Sequence, residues 1–156
     1  REQVAKSQRE DKELSEVQEL VGKGEPQPPW EKVATWTERA KSLWWQWPRL
    51  ALRDGVLCRR WESPDGVDIR WQIVLPAVMR QEFMKQVHGG MAGGHLGRDK
   101  TLAQISRRAY WPTWKTDVLG CLKSCAQCAQ YHRGGAPRQA ALTPLITSEV
   151  RAPHRR

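Results

Sequence analysis

The sequence predicts an α+β fold, mainly α, in which a small antiparallel sheet with a helix precedes a small helical bundle. Two observations set the order of elements. Apolar–polar alternation runs through LALRDGVLCRRW (50–61) and VDIRWQIVLP (67–76), as in strands buried on one face. The segments on either side instead place apolar residues three and four apart, as in amphipathic helices. A third observation predicts what nucleates the bundle. His88, His95, Cys125 and Cys128 form a His-x6-His…x29-Cys-x2-Cys array, and these are the side chains that bind zinc in closed tetrahedral sites.

Residues 1–22 have helix-forming composition, with Val4, Leu14, Val17, Leu20 and Val21 at loose helical spacing and a stop at Gly22-Lys23-Gly24. GEPQPPW (24–30) is a proline-rich break. A second helix is expected over 31–47, with Val33, Trp36, Ala40, Leu43, Trp44 and Trp47 as a packing face rather than a base-stacking platform. In the strand region Asp54-Gly55 marks a turn, and Ser63-Pro64-Asp65-Gly66 separates the two alternating runs. Pro76 then starts a helix over 77–87, with Met79, Phe83 and Val87 on one face, which delivers His88 just before the Gly89-Gly90 stop.

RDKTLAQISRRA (98–109) reads as a helix with Leu102, Ile105 and Ala109 on one side, ended by Tyr110-Trp111-Pro112. Thr113 is placed to cap the next helix, where Trp114, Val118, Cys121/Leu122 and Cys125 recur at helical spacing. From Gly134 on, two glycines, three prolines and weak periodicity predict a linker. The expected division is a helical linker at 1–47, a strand-and-helix segment at 48–87, a zinc-binding unit at 88–133 and a flexible tail at 134–156.

With 156 residues, 39% of them apolar and nine Trp, the chain is sufficient for one ordinary domain or two small ones. No apolar run approaches a membrane span and no secretory signal opens the chain, so an intracellular setting without a membrane partner is expected. Arg1 opens the sequence and the earliest Met is Met79, which reads as a fragment of a larger polyprotein. Residues 1–75 carry 13 Lys+Arg against 13 Asp+Glu, whereas residues 76–156 carry 13 against 4. The whole net charge of +9 therefore belongs to the half with the His/Cys array, a distribution that favours phosphate backbones as partners.

The tight Cys125-x2-Cys128 pair argues for metal rather than disulfides. Cys58 and Cys121 are left as reduced thiols, with Cys121 a rival ligand one helical turn before Cys125. His132 lacks a partner at ligand spacing and His154 falls in the tail, so both are poorer candidates. Gly93 and Gly94 suit a chain folding tightly around an ion. Four protein ligands leave no position for substrate, and the only acids between them are Asp99 and Asp117. A structural metal is therefore expected, not a hydrolytic centre.

HGGMAGGHLGRDKTLAQI (88–105), RRAYWP (107–112) and DVLGCLKSCAQCAQ (117–130) together resemble the His-His-Cys-Cys zinc-binding domain at the N-terminus of retroviral and gypsy-type LTR-retrotransposon integrases. LRDGVLCRRW (52–61) and WQIVLPAVMRQEFMKQVH (71–88) resemble the small extension that precedes it in gypsy-type and gammaretroviral members. The resemblance implies one structural zinc on His88, His95, Cys125 and Cys128, and a core of Leu96, Leu102, Ile105, Tyr110, Trp111 and Val118. Cys121 and Tyr131-His132-Arg133 depart from the usual pattern. In the family strand transfer belongs to a following core with an Asp-Asp-Glu triad, so this chain is expected to be no enzyme by itself.

The implied function is multimerisation and DNA binding in nuclear DNA integration, with element-end or target DNA, further copies and the integrase core as partners. Arg98, Lys100, Arg107, Arg108, Lys115 and Lys123 are the expected phosphate contacts. The competing expectation is a host-domesticated protein-interaction domain, in which zinc shapes a surface for a protein partner and the charge serves solubility.

Overall fold

The computed structural model describes residues 1–90 and 94–133, so the expected tail at 134–156 and the Gly93 assignment lie outside the described residues. The architecture is α+β and mainly α, as expected, with a four-stranded sheet among the described residues.

The helix expected over 1–22 is two helices, α1 (Glu2–Glu10) and α2 (Ser15–Gly22). Asp11 separates them in an extended conformation, φ −81° and ψ 121°. Its carboxylate accepts the Glu13 N–H at 2.8 Å and the Ala77 N–H at 2.7 Å. Local bonding of this kind is why Asp leaves helices, and Asp11 thereby caps a helix 66 residues away. The second expected helix is likewise divided, into α3 (Trp30–Val33), α4 (Glu38–Trp44) and a 3-10 turn at Trp47–Arg49. Thr37 starts α4 by accepting the Ala40 N–H at 3.2 Å. Its apolar face packs as expected: Val33, Ala40, Leu43 and Trp47 are buried, although Trp45 remains 70% exposed.

Strands β1 (Leu50–Arg53), β2 (Val56–Glu62) and β3 (Ile69–Val74) form an antiparallel meander, with Leu52 opposite Leu57 and Cys58 opposite Ile73. The β1–β2 turn holds Asp54 at φ 52° and Gly55 at φ 76°, the left-handed pair of a two-residue hairpin. Leu50, Leu57 and Val74 on one face join Leu14, Val17, Leu43, Trp47 and Tyr110 in a first core. Val56 and Cys58 on the other pack against Ala5 of α1. The β2–β3 register starts at Cys58 and Ile73, and the next two residues, Leu57 and Val74, are bridged instead by Gln8. The Gln8 amide donates to Leu57 O at 3.0 Å and Val74 O at 2.7 Å while its Oε1 accepts the Leu57 N–H at 2.8 Å.

Helix α5 (Ala77–Gly89) follows as expected. Helix α6 (Arg98–Ser106) ends three residues before the expected Ala109. Ala109–Tyr110 form a short β4 parallel to β3, with Ile73 N donating to Arg108 O and Leu75 N to Tyr110 O, both at 2.9 Å. Extended backbone suits this stretch because Trp111 precedes Pro112. Helices α7 (Trp114–Lys123) and α8 (Ala126–Arg133) complete the bundle. A second core fills it with Leu75, Met84, Val87, Ile105, Ala109, Val118 and the fully buried Trp111. Of the residues expected in this core, Tyr110 points to the first core instead, and Leu96 and Leu102 are half-buried.

Candidate metal centre

His88 sits in the last turn of α5 and is buried. The turn that follows is tight, since a Cβ at Gly90 would lie 2.4 Å from Gln86 O. Gly94 and His95 adopt φ 48° and 53°, the left-handed region in which His, with Asn and Asp, is enriched among non-glycine residues. Two bonds from Thr101 Oγ1, to Leu96 O at 3.0 Å and Gly97 O at 3.1 Å, tie the His95 segment to α6. On the other side α7 ends at Lys123, Ser124 follows as its C-cap, and Cys125 and Cys128 flank and enter the start of α8.

These elements bring the four ligand atoms within 4.8 Å of one another. Nε2 of His88 lies 3.3 Å from Nδ1 of His95 and 3.2 Å from Sγ of Cys128. Nδ1 of His95 lies 3.5 Å from Sγ of Cys125 and 3.6 Å from Sγ of Cys128. In a tetrahedron with ordinary Zn–N and Zn–S lengths, N···N edges are about 3.3–3.4 Å and N···S edges about 3.5–3.6 Å. Three of these four edges match and the His88–Cys128 edge is shorter, so the donor set fits one zinc, which Nε2 of His88, Nδ1 of His95 and the two thiolates would hold. A ring bound through Nε2 carries its proton on Nδ1; Nδ1 of His88 is buried and makes no hydrogen bond of normal geometry, with the Leu96 backbone as its weak partner.

The electrostatics agree with that role. Burial lowers the His88 pKa and the His95 imidazole beside it lowers it further, against an opposing bond with the Leu96 backbone. The neutral ring that a metal requires is thus favoured. The backbone of Cys128 holds the Cys125 thiol below its usual range, while desolvation and the neighbouring Cys125 push the Cys128 thiol up. Both would bind a metal as thiolates, the form that a bound cation favours. Cys121, the rival ligand, is outside the four-residue group and packs against the second core. All four cysteines are free, and burial raises the Cys58 thiol pKa. The side chain of His132 and the whole of His154 lie outside the described residues.

Asp117 has a structural task. Its Oδ2 accepts the Trp111 indole N–H at 2.6 Å and the Thr113 hydroxyl at 2.7 Å. Thr113 thus occupies the N-cap position of α7 but spends its hydroxyl on Asp117 rather than on a backbone N–H. Nothing in the local pattern marked this pairing, nor the Thr101 bonds to the His95 loop. Asp117→Ala is expected to cost about 1–3 kcal/mol in denaturant unfolding, because it strands a buried indole N–H. Asp117→Asn, which keeps an acceptor, should cost less. A cavity of about 510 Å³ adjoins the centre, bordered by Glu82, Lys85, Cys121 and Ser124.

The six expected phosphate contacts are all exposed, and none has a carboxylate partner among the described residues. They occupy separate places: Arg98 and Lys100 start α6, Arg107 and Arg108 follow it, and Lys115 and Lys123 mark the two ends of α7.

Residues 75–133 match the family model described as the integrase zinc binding domain. Over 57 residues the chain is 32% identical to the Pro-Pol polyprotein of Simian foamy virus type 3 (strain LK3), a stretch covering 36% of this chain and 5% of that polyprotein. The resemblance read at 88–130 is borne out, since the family match contains that stretch and reaches back to Leu75, where α5 is about to start. No helix of the described residues is long and apolar enough to cross a membrane.

Proposed function

We propose that this chain is the zinc-structured N-terminal module of a retrotransposon or retroviral integrase, supporting multimerisation of that enzyme and its engagement of DNA during integration. The observation that carries the reading is the His88/His95/Cys125/Cys128 group, its ligand atoms within 4.8 Å of one another, inside the segment that matches the integrase zinc-binding family. The metal's part is architectural: it joins the end of α5 to the α7–α8 corner. The basic residues on the surface supply the charge complement of a phosphate backbone. The expected site of action is the nucleus.

Binding to a DNA duplex should be weakly sequence-selective and fall steeply with salt, since the exposed cations Arg98, Lys100, Arg107, Arg108, Lys115 and Lys123 suit phosphates. Fluorescence anisotropy across a salt series measures this. An affinity flat between low and physiological salt would favour a protein partner in place of DNA.

The chain alone is expected neither to nick nor to join DNA with magnesium or manganese. Two-metal phosphoryl chemistry needs converging carboxylates. Asp117 is engaged by Trp111 and Thr113, Glu82 is paired with Gln86 on α5, and Asp99 sits at the start of α6. Processing of a viral-end oligonucleotide by purified 1–156 would overturn the reading.

A further inference from the structure

Half of the chain has no net charge, yet part of that half joins the basic half on one concave surface. The β1–β2 hairpin, β3 and the turn after α6 enclose a cleft of about 620 Å³. Arg53, Trp71, Arg107 and Arg108 line it, together with Arg1 and Asp54. Arg1 and Asp54 form an ion pair with each other. Among the described residues no ion pair engages Arg53, Arg107 or Arg108, which leaves three uncompensated guanidinium groups around one opening.

The cations are held by anchored backbone rather than by loose loops. Arg53 is the last residue of β1, directly opposite Val56, and its guanidinium lies 4.9 Å from the centre of the Trp71 ring. Trp71 is 37% exposed, so a ring face and a cation are presented together. The Arg107–Arg108 turn is pinned to β3 from both sides: the Gln72 amide donates to Ser106 O and the Ile73 N–H to Arg108 O. A rigid fork of donors costs less entropy to engage than a lysine fringe, and guanidinium matches phosphate oxygens in pairs.

We propose that this cleft binds a phosphodiester backbone, with Arg53, Arg107 and Arg108 as the phosphate ligands and Trp71 supporting the sugar or base beside them. The proposal rests on the nucleic-acid reading above and deepens it. The strand runs across the β3–β4 junction, from the sheet extension to the zinc-binding unit, rather than over the helices of that unit alone. Duplex and unpaired strand share this chemistry, and an aromatic face beside guanidinium groups is the arrangement that single strands use.

The test uses the zinc-loaded full chain and two labelled probes of one sequence, a duplex and an unpaired oligonucleotide, in anisotropy over a salt series. R53Q/R107Q/R108Q is compared with R98Q/K100Q/K115Q/K123Q, after matched zinc content and circular dichroism show that both fold. The cleft variant is expected to flatten the slope of log affinity against log salt by about 2–3, at about 0.9 per duplex phosphate or about 0.7 per single-strand phosphate. The probe that loses more affinity identifies the source of the backbone. Unchanged affinity and slope in the cleft variant, with loss in the other, would remove the cleft and leave the nucleic-acid function standing. Absence of salt-dependent binding by the unaltered chain would remove both. Phenylglyoxal modification of the unaltered chain gives a readout independent of variants: bound probe should protect Arg53, Arg107 and Arg108, and equal modification with and without probe overturns the proposal.

Discussion

Chelation of the metal from the full chain is expected to abolish most of the helical signal contributed by α6, α7 and α8, with one zinc released per chain. The second core is small, with Trp111 as its largest fully buried side chain. Structural zinc contributes apparent binding free energies of about 10–16 kcal/mol at neutral pH, as large as the whole margin of about 5–15 kcal/mol that separates an ordinary domain from its unfolded state. Cys125→Ser and Cys128→Ser should reproduce the apo state at full zinc supply. Elemental analysis and circular dichroism decide the matter: helicity unchanged at zero zinc would sink the structural role. Full zinc retention in Cys125→Ser would bring Cys121 back as a ligand.

The sheet should respond differently, because Gln8 of α1 joins β2 to β3 outside the zinc-binding unit. Replacement of this residue by Leu, similar in size, is expected to destabilise the chain by about 3–5 kcal/mol, since each buried backbone group left without a partner costs about 1–3 kcal/mol. Gln8 is completely buried and satisfies the Leu57 N–H, the Leu57 carbonyl and the Val74 carbonyl at once. Gln18 adds a further bond to Gln8 at 3.4 Å, so the amide is oriented from behind. Denaturant unfolding monitored by tryptophan fluorescence measures the loss. A change below about 1 kcal/mol, the typical net worth of a single hydrogen bond, would show that water replaces the amide and that α1 is not integral to the sheet.

These two cases also show where sequence is informative. The ligands were legible because zinc demands particular atoms at short, punctuated spacings, and His88, Cys125 and Cys128 each lie at a helix end that local signals mark. The hairpin was legible because Asp54-Gly55 is a local conformational demand. Gln8 and Asp11 were not. Their partners, Leu57, Val74 and Ala77, lie 49 to 66 residues away, and nothing in a local window distinguishes a buried glutamine from a solvated one. The same limit applies to Arg53: periodicity placed it in a strand, but only the β3–β4 pairing brings it beside Arg107 and Arg108. Helix α6 was overextended by three residues because apolar spacing continued through Ala109 while backbone pairing with β3 prevailed.

The two-residue strand β4 carries a consequence for the protein's behaviour outside the folded, metal-loaded state. It is the only cover on one side of β3 among the described residues, satisfying the amides of Ile73 and Leu75. Its Tyr110 is held in the first core, whereas its Ala109 packs in the second, among the helices that the zinc would join. Loosening of the Ala109 side on loss of the metal is expected to expose β3 as an edge strand, with the amides of Ile73 and Leu75 unpaired in the apolar run Ile73-Val74-Leu75, a template for pairing with another chain. Metal starvation is thus expected to favour self-association: apo protein should aggregate through its intact sheet rather than stay dispersed, which light scattering before and after chelation measures.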